Sequence, residues 1–179
     1  MDEHRRVKFN LIDKVEQLSP QRIVAVKHVS LAEEYLADHF PTFPVLPGVM
    51  MLEAAVQAAS WLLHTRSNFA RSMAVLKEAK NVKYGHFVAP GNFLRVDVEL
   101  TEATERGGTF KVNGTVGSAG ASATAIAARL ELAYFDLSET NTEFAEIDRK
   151  LREHNRARWS LIAPTNAPAG GMPATVPLA

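Results

Sequence analysis

The longest apolar stretch of the chain begins just after three closely spaced prolines, at positions 41, 44 and 47. These prolines exclude a continuous helix or a central strand before position 48, so the segment from His39 to Pro47 is predicted to be extended and stiff. Pro47 suits the first position of a helix, and residues 49–64 contain neither Gly nor Pro. The pattern therefore predicts a helix of about four turns over this stretch.

The predicted helix is apolar on nearly every side. Its polar members are Glu53, Gln57, Ser60 and the closing His64, and their spacing of four, three and four residues places them on one narrow line. A helix that is apolar elsewhere is expected to be wrapped by other elements. Two interpretations of the polar line stay open: a strip exposed to water, or part of a chemical site that includes His39.

Alternation of apolar and polar residues predicts strands on both sides of this helix. The first strand is expected at residues 22–29, and a short helical turn at residues 31–38 delivers the chain to His39. After a polar loop, four strands are predicted at residues 73–83, 93–104, 109–118 and 122–135, with hairpin turns at 106–108 and 118–121. One buried helix followed by antiparallel strands predicts an α+β fold with the sheet curved around the helix.

The chain divides into one domain over residues 1–137, a helix over 138–160 and a tail over 161–179 that is rich in Ala, Pro and Gly. In the helix, Phe144, Ile147 and Leu151 share one face, which predicts a surface helix packed on the domain. An alternative is that its cationic side chains offer a basic surface to an acidic partner. These side chains are Arg149, Lys150, Arg152, Arg156 and Arg158.

Composition narrows the chemistry. The 179 residues include no Cys, which excludes disulfides, thiolate nucleophiles and cysteine-bound metals and fits a cytoplasmic protein. Twenty Lys and Arg balance twenty Asp and Glu, so no overall basic field attracts nucleic acid. No spacing indicates a metal site and no Gly-rich loop indicates a nucleotide, so no cofactor is expected. Glu53 and Gln57 favour a buried helix over a membrane span, and no targeting segment is evident.

His39 and Glu53 are a candidate acid–base pair. Glu53 lies inside an apolar helix, beyond the first turn in which the helix dipole favours a negative charge. A carboxylic acid in apolar surroundings favours its neutral form and can donate a proton, while a neutral imidazole can accept one. The pair is thus suited to reactions that remove one proton and deliver another.

The residues around this pair form a longer pattern, which resembles the central motif of the FabZ-type 3-hydroxyacyl-acyl-carrier-protein dehydratases. The likeness extends from residue 9 to about residue 135, including Val88-Ala89-Pro90-Gly91. Several residues at fixed offsets are far more specific than a lone His or Glu. The matching positions are His39-Phe40-Pro41, Pro44-Val45, Pro47-Gly48-Val49, Glu53-Ala54 and Gln57.

The resemblance implies the hotdog fold, in which a curved antiparallel sheet wraps a long central helix. The C-terminal helical extension is predicted from the sequence pattern and lies outside the resemblance. It implies that His39 removes the C2 proton of a (R)-3-hydroxyacyl thioester while Glu53 helps the C3 hydroxyl to leave as water. The backbone N–H of Gly48 is expected to polarise the thioester carbonyl. Gln57 is expected to orient the Glu53 carboxylate, although a plain amide on the helix stripe is an equal alternative.

The resemblance also implies an assembly. Two protomers of that family pair their sheets, and each active site takes its histidine from one chain and its carboxylate from the other. A homodimer or a trimer of dimers is therefore expected, acting on a thioester linked to acyl-carrier protein. The acidic carrier protein is expected to dock on a basic surface near the mouth of the tunnel.

The sequence departs from the family pattern at several positions. Thr42 stands where glycine is usual, Phe43 adds bulk beside it, Asn92 replaces the usual aspartate, and residues 77–87 match only loosely. These departures leave open the acyl-chain preference and the choice between a primary and a specialised acyl pathway.

Two other functions are compatible with the same fold. A hotdog thioesterase would use a helix carboxylate to direct water at the thioester, but this reaction leaves His39 without a role. A non-catalytic acyl-binding or partner subunit would keep the fold without turnover. His28, His64 and His86 lie outside the motif and are predicted to be structural residues of strands or loops.

Overall fold

The computed structural model describes residues 9–40, 42–118 and 121–165. These residues form six strands and three α-helices, with short 3₁₀ turns at Leu137–Glu139 and Thr142–Phe144. The strands are β1 (Lys14–Ser19), β2 (Arg22–His28), β3 (Met73–Tyr84), β4 (Phe93–Thr104), β5 (Gly107–Ser118) and β6 (Ala121–Phe135). The helices are α1 (Tyr35–Asp38), α2 (Gly48–Arg66) and α3 (Ala145–Ile162).

The six strands form one antiparallel sheet in the order β1-β2-β4-β5-β6-β3. Helix α2 packs against β2 to β6 and buries Ala54, Ala58 and Leu62 completely against the sheet. Small alanines on the helix let its backbone approach the sheet closely, while Ile23, Phe110 and Ile126 fill the sheet side of the core. This arrangement confirms the predicted hotdog architecture.

The strand predicted at residues 22–29 is present as β2, and the later strands also lie close to their predicted positions. The prediction that it is the first strand is wrong, because β1 at Lys14–Ser19 precedes β2 and pairs with it. Strand β1 lies at the edge of the sheet and exposes four of its six residues, so its sequence lacks a regular apolar alternation. Strand β5 starts at Gly107, which leaves the β4–β5 turn to residues 105–106.

Helix α3 begins at Ala145, seven residues after the predicted start, because two 3₁₀ turns with their own caps occupy the intervening chain. Asp136 caps the first turn and Asn141 caps the second by accepting from the Glu143 N–H at 3.0 Å. The end of the predicted tail, residues 166–179, lies outside the described residues.

Helix α3 packs over the C-terminal end of α2. The Trp159 ring lies 5.8 Å from that of Trp61, centroid to centroid, and the Asn155 amide lies 3.4 Å from His64 Nε2. The carboxylate of Asp148 is fully buried and accepts hydrogen bonds from Ser72 Oγ and from two backbone N–H groups of the 3₁₀ turn. The helix is therefore an integral cover of the domain.

The basic side chains of α3 are largely paired within the protein, which does not favour the basic-surface alternative. Arg149 donates to Glu146 and Glu153, and Arg152 donates to Asp136 at 2.7 Å. Arg156 and Arg158 donate to the backbone carbonyls of Asn68 and Ile12.

Candidate active site

His39 ends the single turn of α1 and leads into the proline-rich connection. Its N–H donates to the Tyr35 carbonyl at 3.1 Å, and its backbone then becomes extended. The half-buried imidazole lies 4.3 Å from the ring of Phe40, centroid to centroid. Phe40 has φ = 53°, a left-handed conformation that is unfavourable for a residue with a side chain. The surrounding structure thus imposes a strained turn directly after the candidate base.

A cavity of about 60 Å³ opens beside His39. Its walls come from the proline-rich connection, from the start of α2 and from the end of β3 with the loop after it. Apolar side chains dominate this lining, which suits an acyl chain better than a charged ligand. The lining residues include Val45, Leu46, Gly48, Met51, Tyr84, His86 and Phe87.

Gly48 places the N-terminus of α2 on this cavity. Met50 N and Met51 N both donate to the Pro47 carbonyl, whereas the first N–H groups of a helix have no acceptor within it. A Cβ atom added at Gly48 would lie 3.1 Å from the Tyr84 ring, so glycine allows this close approach. The helix start therefore presents an N–H donor and the positive end of its dipole beside His39.

Glu53 and Gln57 lie one turn apart on α2, and Gln57 Nε2 donates to Glu53 Oε1 at 2.9 Å. The same amide group joins α2 to the N-terminal segment, because its oxygen accepts from the Leu11 N–H and its nitrogen donates to the Phe9 carbonyl. The polar line on α2 is thus hydrogen-bonded and partly buried: Glu53, Gln57 and Ser60 are half-buried, and His64 is buried. Among the described residues, neither Glu53 nor Gln57 lines the cavity beside His39.

Strand β3 forms one edge of the sheet and carries a wall of the cavity at its end. It is twelve residues long, and seven of its side chains are exposed. Phe87 just beyond it is 62% exposed and makes an edge-on contact with Phe43, at 5.4 Å between centroids. A long edge strand with apolar side chains beside it is the kind of surface that pairs with a second chain.

Tyr84 and His86 are among the lining residues that the sequence did not predict for the site. His86 was predicted to be structural, but it lines the same cavity as His39 while its N–H donates to the Thr124 carbonyl at 2.9 Å. Both residues fall in the segment that matches the family pattern loosely, so the motif could not identify them. Gly85 between them is also required, because a Cβ atom there would lie 2.3 Å from the Thr124 carbonyl oxygen.

The other two histidines outside the motif are not at the cavity. His28 is exposed at the end of β2, and His64 is buried between α2, Phe69 and α3. Burial lowers the pKa of His64 to about 4, against a smaller opposing effect of a backbone hydrogen bond at Arg71. His64 is therefore a neutral core residue at physiological pH.

Within the described ranges, no cluster of three or more His, Asp or Glu could hold a metal ion. None of the helices there is long and apolar enough to cross a lipid bilayer.

Comparison with known proteins assigns the family. Residues 4–126 match the family model of the FabA-like domain. The chain is 34% identical over 119 residues to the 3-hydroxyacyl-[acyl-carrier-protein] dehydratase FabZ of Clostridium perfringens strain SM101, covering 66% of this chain and 79% of that protein. It is 36% identical over 114 residues to the FabZ of Lactiplantibacillus plantarum, covering 63% and 78% respectively.

Solved structures agree on the fold alone. The dehydratase heterocomplex ApeI:P from Xenorhabdus doucetiae superimposes with a TM-score of 0.60 at 19% identity, over 79% of this chain and 93% of that one. A mutant thioesterase of Pseudomonas aeruginosa superimposes with a TM-score of 0.53 at 16% identity, over 68% and 79%. Fold and family model together define a hotdog protein with a FabA-like domain. More narrowly, the chain belongs to the FabZ-type 3-hydroxyacyl-[acyl-carrier-protein] dehydratase family.

Proposed function

We propose that the protein dehydrates (R)-3-hydroxyacyl thioesters of acyl-carrier protein to trans-2-enoyl thioesters, in fatty-acid or related acyl-chain synthesis. The observation that carries this proposal is the apolar cavity shared by His39 and the N-terminus of α2 at Gly48. An imidazole can take a proton there, and a backbone N–H can stabilise the negative charge that develops on the thioester oxygen. No cofactor enters the reaction.

In this mechanism His39 removes the C2 proton, and the electrons move toward the thioester carbonyl. The Gly48 N–H holds the resulting enolate oxygen. Glu53 protonates the C3 hydroxyl, the C3–O bond breaks, and water leaves as the C2–C3 double bond forms. The hydrogen bond from Gln57 Nε2 supports an orienting role for Gln57, because it fixes one carboxylate oxygen and leaves the other for the substrate.

The proposed active unit is a homodimer that pairs through the β3 edge. Three such dimers could assemble further into a trimer of dimers. Two observations support a shared site: β3 is an edge strand, and Glu53 does not line the cavity of its own chain within the described residues. Pairing across β3 would bring a second copy of α2 toward the cavity, so that the carboxylate comes from the partner.

Acyl-carrier protein is the proposed macromolecular partner, and the cytoplasm the proposed compartment, which the absence of cysteine supports. The exposed Lys83 precedes the cavity residue Tyr84 and offers a cation to the acidic carrier. We expect Lys83→Gln to lower kcat/KM for carrier-linked substrate at low salt, with little effect on a short pantetheine thioester. Equal losses on both substrates would contradict carrier docking at Lys83.

The primary test is turnover of a (R)-3-hydroxyacyl carrier-protein thioester, with enoyl product and free acid both followed by mass spectrometry. His39→Ala and Glu53→Gln should each lose at least about 10²-fold in kcat. His154→Ala, which removes an exposed histidine of α3, is the matched control and should keep wild-type turnover. Folded variants that still form enoyl product would contradict the assignment, and free acid from wild type would identify a thioesterase.

A further inference from the structure

Lys27 is a buried cation that the proposed reaction does not use. Its residue is only 5% exposed, and it lies on β2 opposite Leu94 of β4, in the interior of the sheet. A buried ammonium group must be paired, because it loses its hydration. The partners of Lys27 are Glu33, whose Oε1 accepts from Nζ at 2.5 Å, and Asp13, whose Oδ2 lies 3.8 Å away.

Glu33 connects this ion pair to the turn that ends at His39. Its N–H donates to the Ser30 carbonyl, and its own carbonyl accepts from the Leu36 N–H at 3.1 Å. The next residue but one, Tyr35, accepts a hydrogen bond at its carbonyl from the N–H of His39, which closes the turn. A chain of short contacts therefore runs from the sheet, through Lys27 and Glu33, to the backbone of the candidate base.

Helix α1 cannot hold this position unaided. It has four residues, no side-chain cap at its start and one buried side chain, Leu36. A single helical turn is unstable in isolation, so its placement depends on anchors from the rest of the protein. Leu36 supplies an apolar anchor, and the Lys27–Glu33 pair supplies a directional one.

Tyr35 provides a second buried group on α1. Its hydroxyl is buried without a hydrogen-bond partner among the described residues. Burial raises the pKa of Tyr35, and the neighbouring carboxylates of Glu33 and Asp13 raise it further. The buried hydroxyl therefore shows that α1 packs against the domain through Tyr35 as well as through Leu36.

We propose that Lys27 is a positioning residue for His39: its buried ammonium group holds Glu33, and Glu33 fixes the turn that presents the imidazole to the cavity. The expected effect on kcat rests on the proposed function, whereas the expected effect on the structure of the turn does not. A misplacement of the base by about 1 Å costs roughly 10²-fold in rate. The effect should therefore fall on kcat, while the apolar cavity that binds the acyl chain is retained.

The kinetic test compares Lys27→Met, Lys27→Arg, Glu33→Gln and the wild type. Lys27→Met and Glu33→Gln should each lower kcat by about 10²-fold, with KM changed by less than about threefold. Lys27→Arg keeps the charge and the donors, so it should recover most of kcat. Glu16→Gln is the matched control, since Glu16 is an exposed carboxylate on β1 that pairs with Arg95 at 2.9 Å and does not line the cavity.

Hydrogen exchange provides a readout that does not depend on turnover. The amide protons of Leu36 and His39 close the turn, so they should exchange faster in Lys27→Met and Glu33→Gln than in wild type. Their exchange rates should be unchanged in Glu16→Gln. If Lys27→Met fails to fold, Glu33→Gln carries both measurements. Unchanged exchange and kcat in a folded variant would overturn the positioning role. If the wild type dehydrates no substrate, the proposed function fails, but faster exchange in the variants would still support the role of Lys27 and Glu33 in holding the turn.

Discussion

At Gly48, an added methyl group should lower the rate of the reaction. An added Cβ would lie 3.1–3.2 Å from three atoms of the Tyr84 ring, closer than ordinary van der Waals contact, so the ring or the helix start must move by a few tenths of an ångström. We expect Gly48→Ala to lower kcat about tenfold, because the N–H moves relative to the developing oxyanion. Steady-state kinetics of the folded variant measure this loss.

Tyr84→Ala provides the companion variant, since it removes the ring that the new methyl group would meet. If the ring causes the loss, Gly48→Ala in the Tyr84→Ala background should cost much less than in the wild type. An equal cost in both backgrounds would instead show that glycine is needed for the substrate itself.

His64 should make the stability of the fold dependent on pH. Burial lowers its pKa to about 4, whereas an unfolded histidine titrates near 6.5. Between these values the unfolded chain binds a proton that the native state does not, so stability falls as the pH falls from 6.5 to 4, by about 3 kcal/mol in all. Urea unfolding at pH 7 and pH 4.5 should show this loss.

His64→Gln removes the titrating group and keeps a polar side chain near Asn155 and Tyr134. Its stability should change much less between pH 7 and pH 4.5 than that of wild type. His154→Gln, at an exposed position, should retain the full pH dependence. The lowered native pKa of Asp148 adds only a small further loss at pH 4.5, because an unfolded aspartate titrates mainly below that pH, and this loss is common to the wild type and both variants. If the stability of His64→Gln depended on pH as strongly as that of the wild type, His64 would not be the group responsible.

At this scale the sequence singled out His39, Gly48, Glu53 and Gln57 as candidate site residues because they stand at fixed offsets in a motif. Among the described residues, His39 and Gly48 line the cavity, whereas Glu53 and Gln57 do not. It could not identify the left-handed backbone of Phe40, since that conformation is imposed by the packing around it. Nor could it place His86 at the cavity, because the contact depends on how the end of β3 crosses the start of α2.

At the scale of elements, local signals decided which predictions succeeded. The prolines and the Gly-free stretch fixed α2 to within two residues at each end, and β4 was predicted with its exact bounds. Strand β1 was missed because an edge strand that exposes most residues carries little apolar periodicity. The start of α3 was placed too early because the caps of the 3₁₀ turns compete with the helix for the same polar residues.

Asp148 is the residue that attaches α3 to the domain. Burial alone would raise its pKa, but hydrogen bonds from Ser72, Ser138 and Leu137 outweigh burial and hold the pKa below its ordinary value. Asp148→Ala would leave these buried donors without an acceptor, which should cost on the order of 3 kcal/mol. The chain has two tryptophans, Trp61 and Trp159, and both lie at the α2–α3 contact, so urea unfolding can be followed by their fluorescence.

Detachment of α3 would also expose both indole rings, so the emission of folded Asp148→Ala should shift to longer wavelength. Glu153→Ala is the control, because it removes a carboxylate of the same helix that pairs with Arg149 on the exposed side. Surface pairs of this kind contribute less than about 1 kcal/mol. A loss of stability no larger in Asp148→Ala than in Glu153→Ala would show that α3 is attached by other contacts.

At the scale of the whole molecule, the positions of His39 and Glu53 and the difference between the two sheet edges favour a dimer that pairs through β3. Edge β1 lies beside α3, whereas edge β3 carries the cavity wall and exposed apolar side chains. Pairing through β3 would cover the open strand, which a monomer would leave as a site for aggregation. It would also complete a site from His39 of one protomer and Glu53 of the other.

This shared site can be tested by mixing two inactive variants. In a heterodimer of His39→Ala with Glu53→Gln, one site combines both lesions, while the other combines the intact His39 and the intact Glu53. A purified heterodimer carrying two different tags should therefore recover about half of wild-type kcat per dimer, although each parent homodimer is inactive. If His39 and Glu53 of the same chain acted together, every site would carry one lesion and the heterodimer would be as inactive as its parents.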